Sequence, residues 1–412
     1  MDETKSVPKL RFASYSNEWT SYKLGDILTF YSTNSFSREK LNYDGGSVKN
    51  IHYGDIHTKY PTILSLRSNN EVPYINNDVD LSKFKKDQYL QNGDLIIADA
   101  SEDYEDIGKA IEVKDIGDEK VLAGLHTILA RDENKIVVNG FKAYLFSTNN
   151  LKTKIKVIAN GISVLGISKN NLSKLTVNIP SEEEQQKIVS FISSIDKKIE
   201  LLEQKHHFYL DFKKYLMQQI FAQKLRFANF TEEWKTVKIK DIFDERSEKG
   251  FSDLELLSVT LNDGVIKRSE IESKDNSNEN KSNYKHVLPD DIVYNSMRMW
   301  QGASGVSSYE GIVSPAYTIL IPKNAYSKFF GYYFKTNEMI HQFKKYSQGL
   351  TSDTWNLKYP LISEIKIKIP SIDEQKEITN VFETIDLKTK ILQNNLEEVM
   401  TFKKGLLQQM FV

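Results

Sequence analysis

Cysteine is absent from this sequence of 412 residues. Its absence excludes disulfide bonds, thiolate zinc sites and cysteine nucleophiles, and it fits a reducing compartment. Excess charge is absent as well, because 55 Lys and Arg residues stand against 56 Asp and Glu residues. A strongly basic chain would indicate nucleic acid through its overall field. Here any such surface has to be local, or shared with a partner.

Long apolar runs are missing too. No stretch approaches the length that crosses a bilayer, and the first ten residues, MDETKSVPKL, lack the apolar core of a signal peptide. We therefore expect a cytoplasmic protein. Its 40% hydrophobic and 27% charged residues are ordinary for a globular chain. The length suffices for two or more domains with sizeable cores.

Catalytic signatures are also lacking. The chain contains no Gly-x-x-x-x-Gly-Lys-Ser/Thr phosphate loop, no Asn/Asp-Pro-Pro-Tyr/Phe tetrapeptide and no Gly-x-Gly-x-x-Gly fingerprint. A loose nuclease-like set, Asp353 with Glu364 and Lys366, is not repeated elsewhere in the chain. The pair His52 and His57 is too sparse to indicate a metal site. The sequence therefore predicts a chain with no catalytic residue and no metal.

Two segments recur along the chain. Residues 9–13 (KLRFA) return as 224–228, each time shortly before a Glu-Trp pair, and residues 179–188 (IPSEEEQQKI) return as 369–378 (IPSIDEQKEI). The stretches between these matched ends are unrelated and differ in length. Constant frames around divergent interiors indicate one scaffold that presents two different recognition surfaces. The alternative is a duplication that has merely drifted.

The repeat also has a circular order. Residues 212–221 (FKKYLMQQIF) return as 402–411 (FKKGLLQQMF), and only the first copy is followed by the KLRFA segment. The N-terminus supplies that segment for the second copy. This order predicts a pseudo-twofold circular arrangement that places both termini close together.

Two long helices are predicted at the ends of the repeats. Ser181 with Glu184, and Ser371 with Glu374, have the spacing of a capping box. Apolar residues then follow at alternating steps of four and three, the heptad pattern of helices that wrap around each other. About 40 residues would span about 60 Å, so the simplest partner for each helix is the other one, antiparallel. The predicted positions for helix pairing and partner docking are Ile188, Ile192, Ile195, Ile199, Leu202, Ile378, Phe382, Ile385, Leu392 and Leu396.

Lysine interrupts both apolar seams at matching positions, Lys213 and Lys403. One interpretation, which we favour, is that the stems pack on the seam while the ammonium groups reach solvent. The other is that the lysines fix the register of the helix pair.

Polar loops in both divergent stretches carry residue types that read base edges. Arg pairs with guanine and Gln with adenine. The loop at residues 296–302 (SMRMWQG) has both residue types beside a glycine, directly after a predicted strand. Small and hydroxyl residues in a second pair of loops suit phosphates. Each loop could equally be ordinary polar surface. The candidate DNA-binding residues are Ser296, Arg298, Trp300, Gln301, Gln348, Thr351 and Ser352 in the second stretch, and Tyr53, Asp55, His57, Lys59 and Ser163 in the first.

The first divergent stretch also holds an acidic segment, residues 99–106 (DASEDYED). Three interpretations stay open. The segment could be structural, it could accept hydrogen bonds from cytosine N4, or it could face a protein partner.

The order of these motifs resembles the specificity subunit of Type I restriction-modification systems. The matching features are the two domain starts (Trp19 with KLGDI, Trp234 with KIKDI), the strands GDLII and DIVY, the segment VSPAY and the two IPS helices. The resemblance covers nearly the whole chain. The second domain start lacks the glycine of the first, a departure that affects a single turn.

This resemblance implies an α+β fold, with two mixed, strand-rich target-recognition domains joined by two long antiparallel coiled-coil helices. We expect the first recognition domain at residues 1–179, including an N-terminal segment 1–17. The central helix should follow at 180–222, the second recognition domain at 223–369 and the C-terminal helix at 370–412.

The resemblance further implies a non-catalytic subunit that reads a bipartite site in double-stranded DNA, one half per recognition domain, while the paired helices set the gap. Its partners would be two methyltransferase subunits, which carry S-adenosylmethionine, and motor-nuclease subunits, which use ATP and Mg²⁺. This chain itself would bind no cofactor. From the residues alone two other classes stay open: a self-contained enzyme that modifies or cleaves DNA, and a coiled-coil adaptor that binds only proteins.

Overall fold

Each half of the repeat folds as a unit of its own in the computed structural model. The first unit combines Met1–Leu202 with Asn395–Val412, and the second is Glu203–Asn394. Each unit therefore holds one divergent stretch together with one part of each long helix. The structure describes residues 7–67, 71–261, 263–272, 277–351 and 354–412.

The first unit alternates short strands with short helices before it enters a long helix. Its strands are β1 (Thr20–Lys23), β2 (Thr29–Tyr31), β3 (Leu41–Asn42), β4 (Lys49–Ile51), β5 (Ile63–Ser65), β6 (Tyr74–Ile75), β7 (Leu95–Ala98), β8 (Ala100–Ser101), β9 (Ala110–Lys114), β10 (Val121–Ala123), β11 (Thr127–Arg131), β12 (Leu165–Gly166) and β13 (Thr176–Ile179). Its helices are α1 (Leu24–Ile27), α2 (Tyr53–Thr58), α3 (Phe141–Phe146), α4 (Asn149–Ile158), α5 (Lys169–Ser173) and the first part of α6 (Glu182–Phe221).

Two sheets contain most strands of the first unit. The order β2-β11-β7-β9-β5 forms one sheet, antiparallel except for the β5–β9 pair, and β10-β4-β6-β3 forms the other. The predicted strand GDLII is β7. Leu95 and Ile97 lie in one buried apolar cluster, whereas Ile96 and Ala98 lie in a second cluster. Both faces of the strand are therefore covered, which is why it reads as a continuous apolar run.

The second unit follows the same plan with fewer strands. Its strands are β14 (Lys235–Lys238), β15 (Phe243–Glu245), β16 (Leu257–Thr260), β17 (Gly264–Lys267), β18 (Lys285–Val287), β19 (Ile292–Asn295), β20 (Ser304–Val306), β21 (Gly311–Val313), β22 (Tyr317–Pro322) and β23 (Lys366–Ile369). Its helices are the last part of α6, α7 (Ile239–Ile242), α8 (Ser327–Tyr333), α9 (Asn337–Tyr346), α10 (Tyr359–Ile362) and the first part of α11 (Ile372–Gln409).

The main sheet of the second unit is antiparallel, in the order β15-β22-β19-β20, with two further pairs, β16–β17 and β18–β21. The predicted strand DIVY is β19. Ile292 and Tyr294 belong to one buried cluster and Val293 to another, so this strand too is covered on both faces.

A two-stranded ribbon leads into each long helix. β1 pairs with β13, Thr20 opposite Ile179, and β14 pairs with β23, Lys235 opposite Ile369. The predicted period-two alternation of these strands is confirmed, because β13 and β23 bury every second residue. Only two residues separate each strand from its helix, so the start of each domain is fixed to the start of a long helix.

Each long helix begins with the predicted serine cap. Ser181 Oγ accepts from the Glu184 N–H at 3.4 Å, and Ser371 Oγ accepts from the Glu374 N–H at 3.4 Å. The reciprocal half of the capping box is wrong, because both glutamate side chains bind elsewhere.

The two glutamates bind the arginine of the KLRFA segment, a contact we call the arginine clasp. Glu184 accepts from Arg11 Nε and Nη2, both at 2.7 Å. Glu374 accepts from Arg226 Nε at 2.8 Å and Nη2 at 2.7 Å. Both glutamates are almost fully buried. Each recurring segment therefore supplies one partner of a bidentate ion pair.

The long helices pack antiparallel inside each unit. In the first unit, the start of α6 shares a buried cluster with the end of α11. In the second unit, the end of α6 shares one with the start of α11. The residues concerned are Ile188, Ile192 and Ile195 with Leu406 and Met410 in the first unit, and Leu216 and Ile220 with Ile378, Phe382 and Ile385 in the second. Leu392 is also buried, and Ile199, Leu202 and Leu396 are half-buried.

Each seam lysine forms an ion pair with an aspartate of the other helix. In the first unit Lys403 pairs with Asp196, which also accepts from the Tyr144 hydroxyl at 2.8 Å. In the second unit Lys213 pairs with Asp386, which accepts from an equivalent tyrosine. Both ion pairs are partly exposed, so the ammonium groups reach solvent and also pair across the helices, and both interpretations stay open.

Backbone hydrogen bonds join the N-terminal segment to the end of α11. The Leu10 N–H donates to the Gln409 carbonyl at 2.9 Å, and in the second unit the Leu225 N–H donates to the Gln219 carbonyl at 3.2 Å. These four residues occupy equivalent positions in the repeat. The KLRFA segment near the N-terminus thus follows α11 as its copy follows α6, which brings Leu10 to the end of α11 within the first unit.

The predicted α+β fold, with two strand-rich domains and two long paired helices, is confirmed. Among the described residues, no helix has both the length and the apolar character that a bilayer span requires. The proposed four-part division of the chain stays a prediction.

Candidate nucleic-acid interface

In the second unit, a turn that ends in glycine follows the buried strand β19. Met299–Gln301 form a single 3₁₀ turn that stops at Gly302. Met299 is buried in the core, whereas Arg298, which precedes the turn, and Gln301, its last residue, are exposed. Buried Met299 thus anchors the turn to the core, and the turn presents the Arg298 guanidinium and the Gln301 carboxamide to solvent. These two groups recognise guanine and adenine edges.

Ser296 does not belong to that surface. It is buried, its Oγ lies 2.8 Å from Thr318 Oγ1, and its carbonyl accepts from the Leu357 N–H at 2.8 Å. Its polar groups hold the turn against neighbouring segments, and a contact of Ser296 with DNA stays a prediction.

Two tryptophans join this turn to the second candidate loop. The ring centroids of Trp300 and Trp355 lie 5.3 Å apart at 77°, and Trp300 Nε1 donates to the Met297 carbonyl at 3.0 Å. Lys344 Nζ, from α9, lies 5.5 Å from the centroid of the Trp355 ring. Because the Trp300 ring is half-buried and its N–H is used, its role here is to position the turn. A direct contact of Trp300 with DNA stays a prediction.

The second loop is a hairpin closed by Gln348 and Asn356. The backbone groups of these two residues exchange hydrogen bonds of 3.0 and 2.8 Å. Gln348 and Thr351 are exposed, so both are accessible to a ligand. The Thr351 N–H donates to Thr354 Oγ1 at 3.1 Å, which fixes the loop locally. Ser352 lies outside the described residues.

In the first unit, the short helix α2 follows strand β4. Asp55 in this helix is buried, and its two carboxylate oxygens accept from Arg38 at 2.7 and 3.0 Å. Lys59 Nζ lies 3.5 Å from the same carboxylate. The charge of Asp55 is thus balanced inside the unit, and a contact of Asp55 with DNA stays a prediction. Its function is to hold two partly exposed cations, of which Arg38 was missed by sequence reasoning.

His52 caps α2 as a neutral imidazole. Its Nδ1 accepts from the Gly54 N–H at 3.2 Å. Burial lowers the pKa of His52, and the nearby Arg38 charge lowers it further. Both effects keep the ring able to accept this hydrogen bond. Among the described residues, no group of three or more His, Asp or Glu side chains is placed to hold a metal ion.

Tyr53 is half-buried among three histidine rings. Its ring centroid lies 4.7 Å from that of His52, 6.0 Å from His57 and 5.2 Å from His126. His57 Nε2 lies 3.1 Å from the Ala100 carbonyl and its side chain is 13% exposed, so little of the ring is open to a ligand. A contact of His57 with DNA stays a prediction. His126 is half exposed and has a φ of 54°. A positive φ is uncommon outside glycine and clusters at functional sites, which makes His126 a further candidate.

Basic groups of the first unit bind the acidic segment 99–106. Asp99 lies 3.5 Å from His126 Nδ1, and Glu105 lies 2.6 Å from Lys156 Nζ. Burial raises the pKa of Asp99, and the neighbouring histidine opposes that shift. Of the three interpretations left open, these contacts favour the structural one.

A second hairpin, equivalent to the one closed by Gln348, lies beside the acidic segment. The backbone groups of Asn160 and Gly166 exchange hydrogen bonds of 2.9 and 2.7 Å. Its strand β12 pairs with β8 of the acidic segment. Ser163 is exposed in this hairpin, where a ligand could reach it.

The nuclease-like set is used in an ion-pair network. The Glu364 carboxylate lies 2.6 Å from Lys238 Nζ and 2.6 Å from Lys240 Nζ. These two lysines lower the pKa of Glu364 to about 2. Lys366 lies on β23 opposite Lys238, and Asp353 is outside the described residues. Glu364 is thus bound at the domain start.

Both halves of the sequence match one family model. The model describes the Type I restriction modification DNA specificity domain, and it matches residues 16–207 and 231–401. The chain belongs to this family. Two copies of the specificity domain account for the repeat, and the resemblance drawn from the sequence motifs is confirmed.

Known proteins of this kind are similar over much of their length. The Type I restriction enzyme MjaVIII specificity subunit of Methanocaldococcus jannaschii is 23% identical over 296 residues, which cover 64% of this chain and 68% of that protein. The solved S subunit of a Type I restriction-modification system from M. genitalium has a TM-score of 0.59 at 14% identity, covering 98% of this chain and 99% of its own.

A chain from work on complex assembly and conformational transition of the type I R-M system has a TM-score of 0.53 at 13% identity. The alignment covers 94% of this chain and 96% of that one. At these identities the two structural likenesses show the fold alone.

Each specificity domain has its own candidate surface, and contacts of these residues with DNA stay predictions. The residues that the structure leaves accessible are Arg298, Gln301, Gln348 and Thr351 in the second domain, and Arg38, Tyr53, Lys59, His126 and Ser163 in the first.

Proposed function

We propose that this chain selects the DNA sequence on which a Type I restriction-modification complex acts, and that each specificity domain reads one half of a bipartite site. The observation that supports this is the contrast between the constant and divergent parts of the two domains. Both have the ribbon, the arginine clasp and a long helix. After the buried strand, however, one domain presents the exposed Arg298 and Gln301, whereas the other has the acidic segment 99–106, whose carboxylates are bound to His126 and Lys156. Two unlike half-sites require one scaffold with two different surfaces.

The paired helices would set the distance between the half-sites. Two half-sites read from one face of a duplex lie about one turn, roughly 10 bp, apart. The Lys403–Asp196 and Lys213–Asp386 pairs support this role, since each fixes which residues of the two helices face each other.

The long helices also offer a surface for protein partners. Outside the seam they expose large apolar side chains, and such groups gain free energy when another protein buries them. We assign this surface to two methyltransferase subunits, which motor-nuclease subunits would join. A similar fold occurs in a protein from work on assembly of the type I R-M system. The exposed residues are Leu201, Phe208, Phe212, Leu387, Ile391 and Phe402.

Chemistry would belong to those partners. We propose that S-adenosylmethionine is held by the methyltransferase subunits, that ATP and Mg²⁺ are held by the motor-nuclease subunits, and that this chain has no catalytic residue. The net charge of −1 agrees with a shared surface, because partner subunits can supply part of the phosphate contacts.

Genomic adenine-methylation mapping with and without the gene tests the proposal. One bipartite motif should lose its methylation on deletion and regain it when the gene is restored. Persistence of every motif, in cells where the methyltransferase subunit is active, would contradict the proposal. The purified chain with S-adenosylmethionine and DNA should transfer no methyl group, and turnover by the chain alone would make it an enzyme.

A further inference from the structure

The hairpin closed by Asn160 and Gly166 and the hairpin closed by Gln348 and Asn356 each have an exposed aliphatic residue at the tip. Ile162 in the first domain and Leu350 in the second are fully exposed, and no other large apolar side chain of the described residues is as exposed. The two residues are equivalent. Each lies two positions after the residue that begins the hairpin, and each is followed by a hydroxyl residue, Ser163 or Thr351.

A glycine with a positive φ precedes each of these tip residues. Gly161 has a φ of 132°, and a Cβ there would lie 2.0 Å from the Val164 carbonyl oxygen. Gly349 has a φ of 153°, and a Cβ there would lie 2.6 Å from the Thr354 carbonyl oxygen. No other residue fits these turns without a shift of the backbone. Each hairpin therefore holds an aliphatic side chain in water, where it gains free energy only when a partner buries it.

The tips are alike although their surroundings differ. Leu350 belongs to the hairpin joined to the turn of Arg298 and Gln301, whereas Ile162 belongs to the hairpin paired with the acidic segment 99–106. A side chain that read a particular base would be expected to diverge together with its half-site. A tip that is the same in two unlike domains indicates a feature that both half-sites share.

The charge beside the second tip favours DNA as the partner. Each hairpin follows directly on a helix that contains several lysines. α9 ends with Lys344 and Lys345, which are both exposed, whereas in α4 Lys154 donates to the Thr176 carbonyl and Lys156 pairs with Glu105. Lysines next to a groove-directed loop suit the phosphates that position a duplex.

We propose that Ile162 and Leu350 are wedges, and that each enters the groove of its half-site and partly unstacks one base step. Leucine and isoleucine are among the side chains that proteins insert between base steps to bend a duplex. Stacking is common to all sequences, so a wedge can be identical in two domains that read different bases. The inference rests on the proposed function, because it places each domain on its own half-site.

The test uses the complete methyltransferase complex, assembled from this chain and its partner subunits, on a duplex that contains the mapped site. 2-Aminopurine, placed at each position in turn, reports loss of stacking through its fluorescence. The wild-type complex should raise the fluorescence at one step in each half-site. Leu350→Ala should abolish the rise in fluorescence only in the half-site bound by the second domain. Ile162→Ala should abolish it only in the half-site bound by the first domain. Each variant should lower DNA affinity about tenfold, the effect of one buried aliphatic side chain.

Matched variants separate the wedge from a general loss of folding. Leu350→Met should keep the signal, because it keeps an apolar tip, and Leu350→Asn, similar in size but polar, should abolish it. Val157→Ala, which removes an exposed aliphatic group from α4, should change neither signal.

An unchanged 2-aminopurine signal in a bound Leu350→Ala complex would overturn the proposal, as would the absence of any unstacking by the wild-type complex. Variants that no longer assemble with the partner subunits would assign the tips to a protein contact and would also overturn it. Failure of the wild-type complex to bind the mapped site would instead contradict the proposed function.

Discussion

Replacement of Glu374 by alanine should loosen the start of the second domain. Glu374 is 1% exposed, and it accepts two hydrogen bonds from Arg226 and one, at 3.3 Å, from Trp234 Nε1. The substitution leaves the buried indole N–H without its acceptor and leaves the guanidinium with only the Glu232 carbonyl. Removal of one partner of a buried ion pair costs about 3–5 kcal/mol. The Arg226 side chain is 25% exposed, so water recovers part of that cost, and we expect a loss of about 2–3 kcal/mol.

Urea unfolding of the full chain measures this loss, and hydrogen exchange locates it. Exchange should accelerate in β14 and β23, which the clasp ties to the start of α11. Glu184→Ala is the matched control in the first domain, where exchange should accelerate in β1 and β13 instead. Its cost should be smaller, because among the described residues Trp19 Nε1 has no hydrogen-bond partner.

The double variant Arg226→Met with Glu374→Leu sharpens the test. Replacement of both charged side chains by apolar ones should recover most of the lost stability, because the cost of Glu374→Ala comes from an unpaired buried charge. The reasoning would be refuted by a cost of Glu374→Ala below about 1 kcal/mol, or by a double variant no more stable than the single one.

Four further predictions concern the reading surface, the helices and the domain start. Arg298→Ala should cost about 1–3 kcal/mol at one base pair in competition binding with singly substituted duplexes; a uniform loss over all sequences would make it a phosphate contact. Lys213→Asp and Asp386→Lys should each lower Tm, because each lowers the free energy of unfolding by about 1 kcal/mol. The double variant should restore Tm, and failure to do so would count against a role of the pair in register. Because its lysine partners lower the pKa of Glu364 from 4.5 to about 2, the stability that this carboxylate contributes is present above pH 4.5 and lost as the pH falls to 2. Wild type and Glu364→Gln should therefore differ in Tm at pH 7 and converge near pH 2, and equal Tm values at pH 7 would contradict the ion pairs. Insertion of one heptad into both long helices should alter the gap of the methylated motif or abolish assembly, whereas altered half-sites would count against the helices as spacers.

The long helices and the ribbons could be predicted from the sequence because their physics is periodic. The heptad steps of α6 and α11 correspond to buried and half-buried positions along both helices. The alternation of β13 and β23 corresponds to one buried face. In each case a regular spacing along the chain maps onto one side of a regular element.

The candidate DNA-binding surface was harder to predict, because whether its side chains are buried depends on segments that are distant in the sequence. Ser296 and Asp55 have the residue types of base readers, yet Thr318 and Arg38, from distant segments, engage them inside the units. His126 reaches the surface beside Tyr53 through a tertiary contact, which no local pattern announces.

The glutamates of the helix starts show the same limit. Their spacing from serine fits a capping box, but the sequence alone does not show that an arginine far along the chain competes for the carboxylate. The clasp forms because a bidentate guanidinium is a stronger partner than a single backbone amide.

The central claim is that each specificity domain reads its own half-site, and a domain exchange tests it most directly. Residues 235–369 would be replaced by the equivalent segment of another family member, and genomic adenine methylation would be mapped. We predict that one half of the bipartite motif changes, while the other half and the gap stay the same. A change in both halves, or in neither while methylation continues, would contradict the claim.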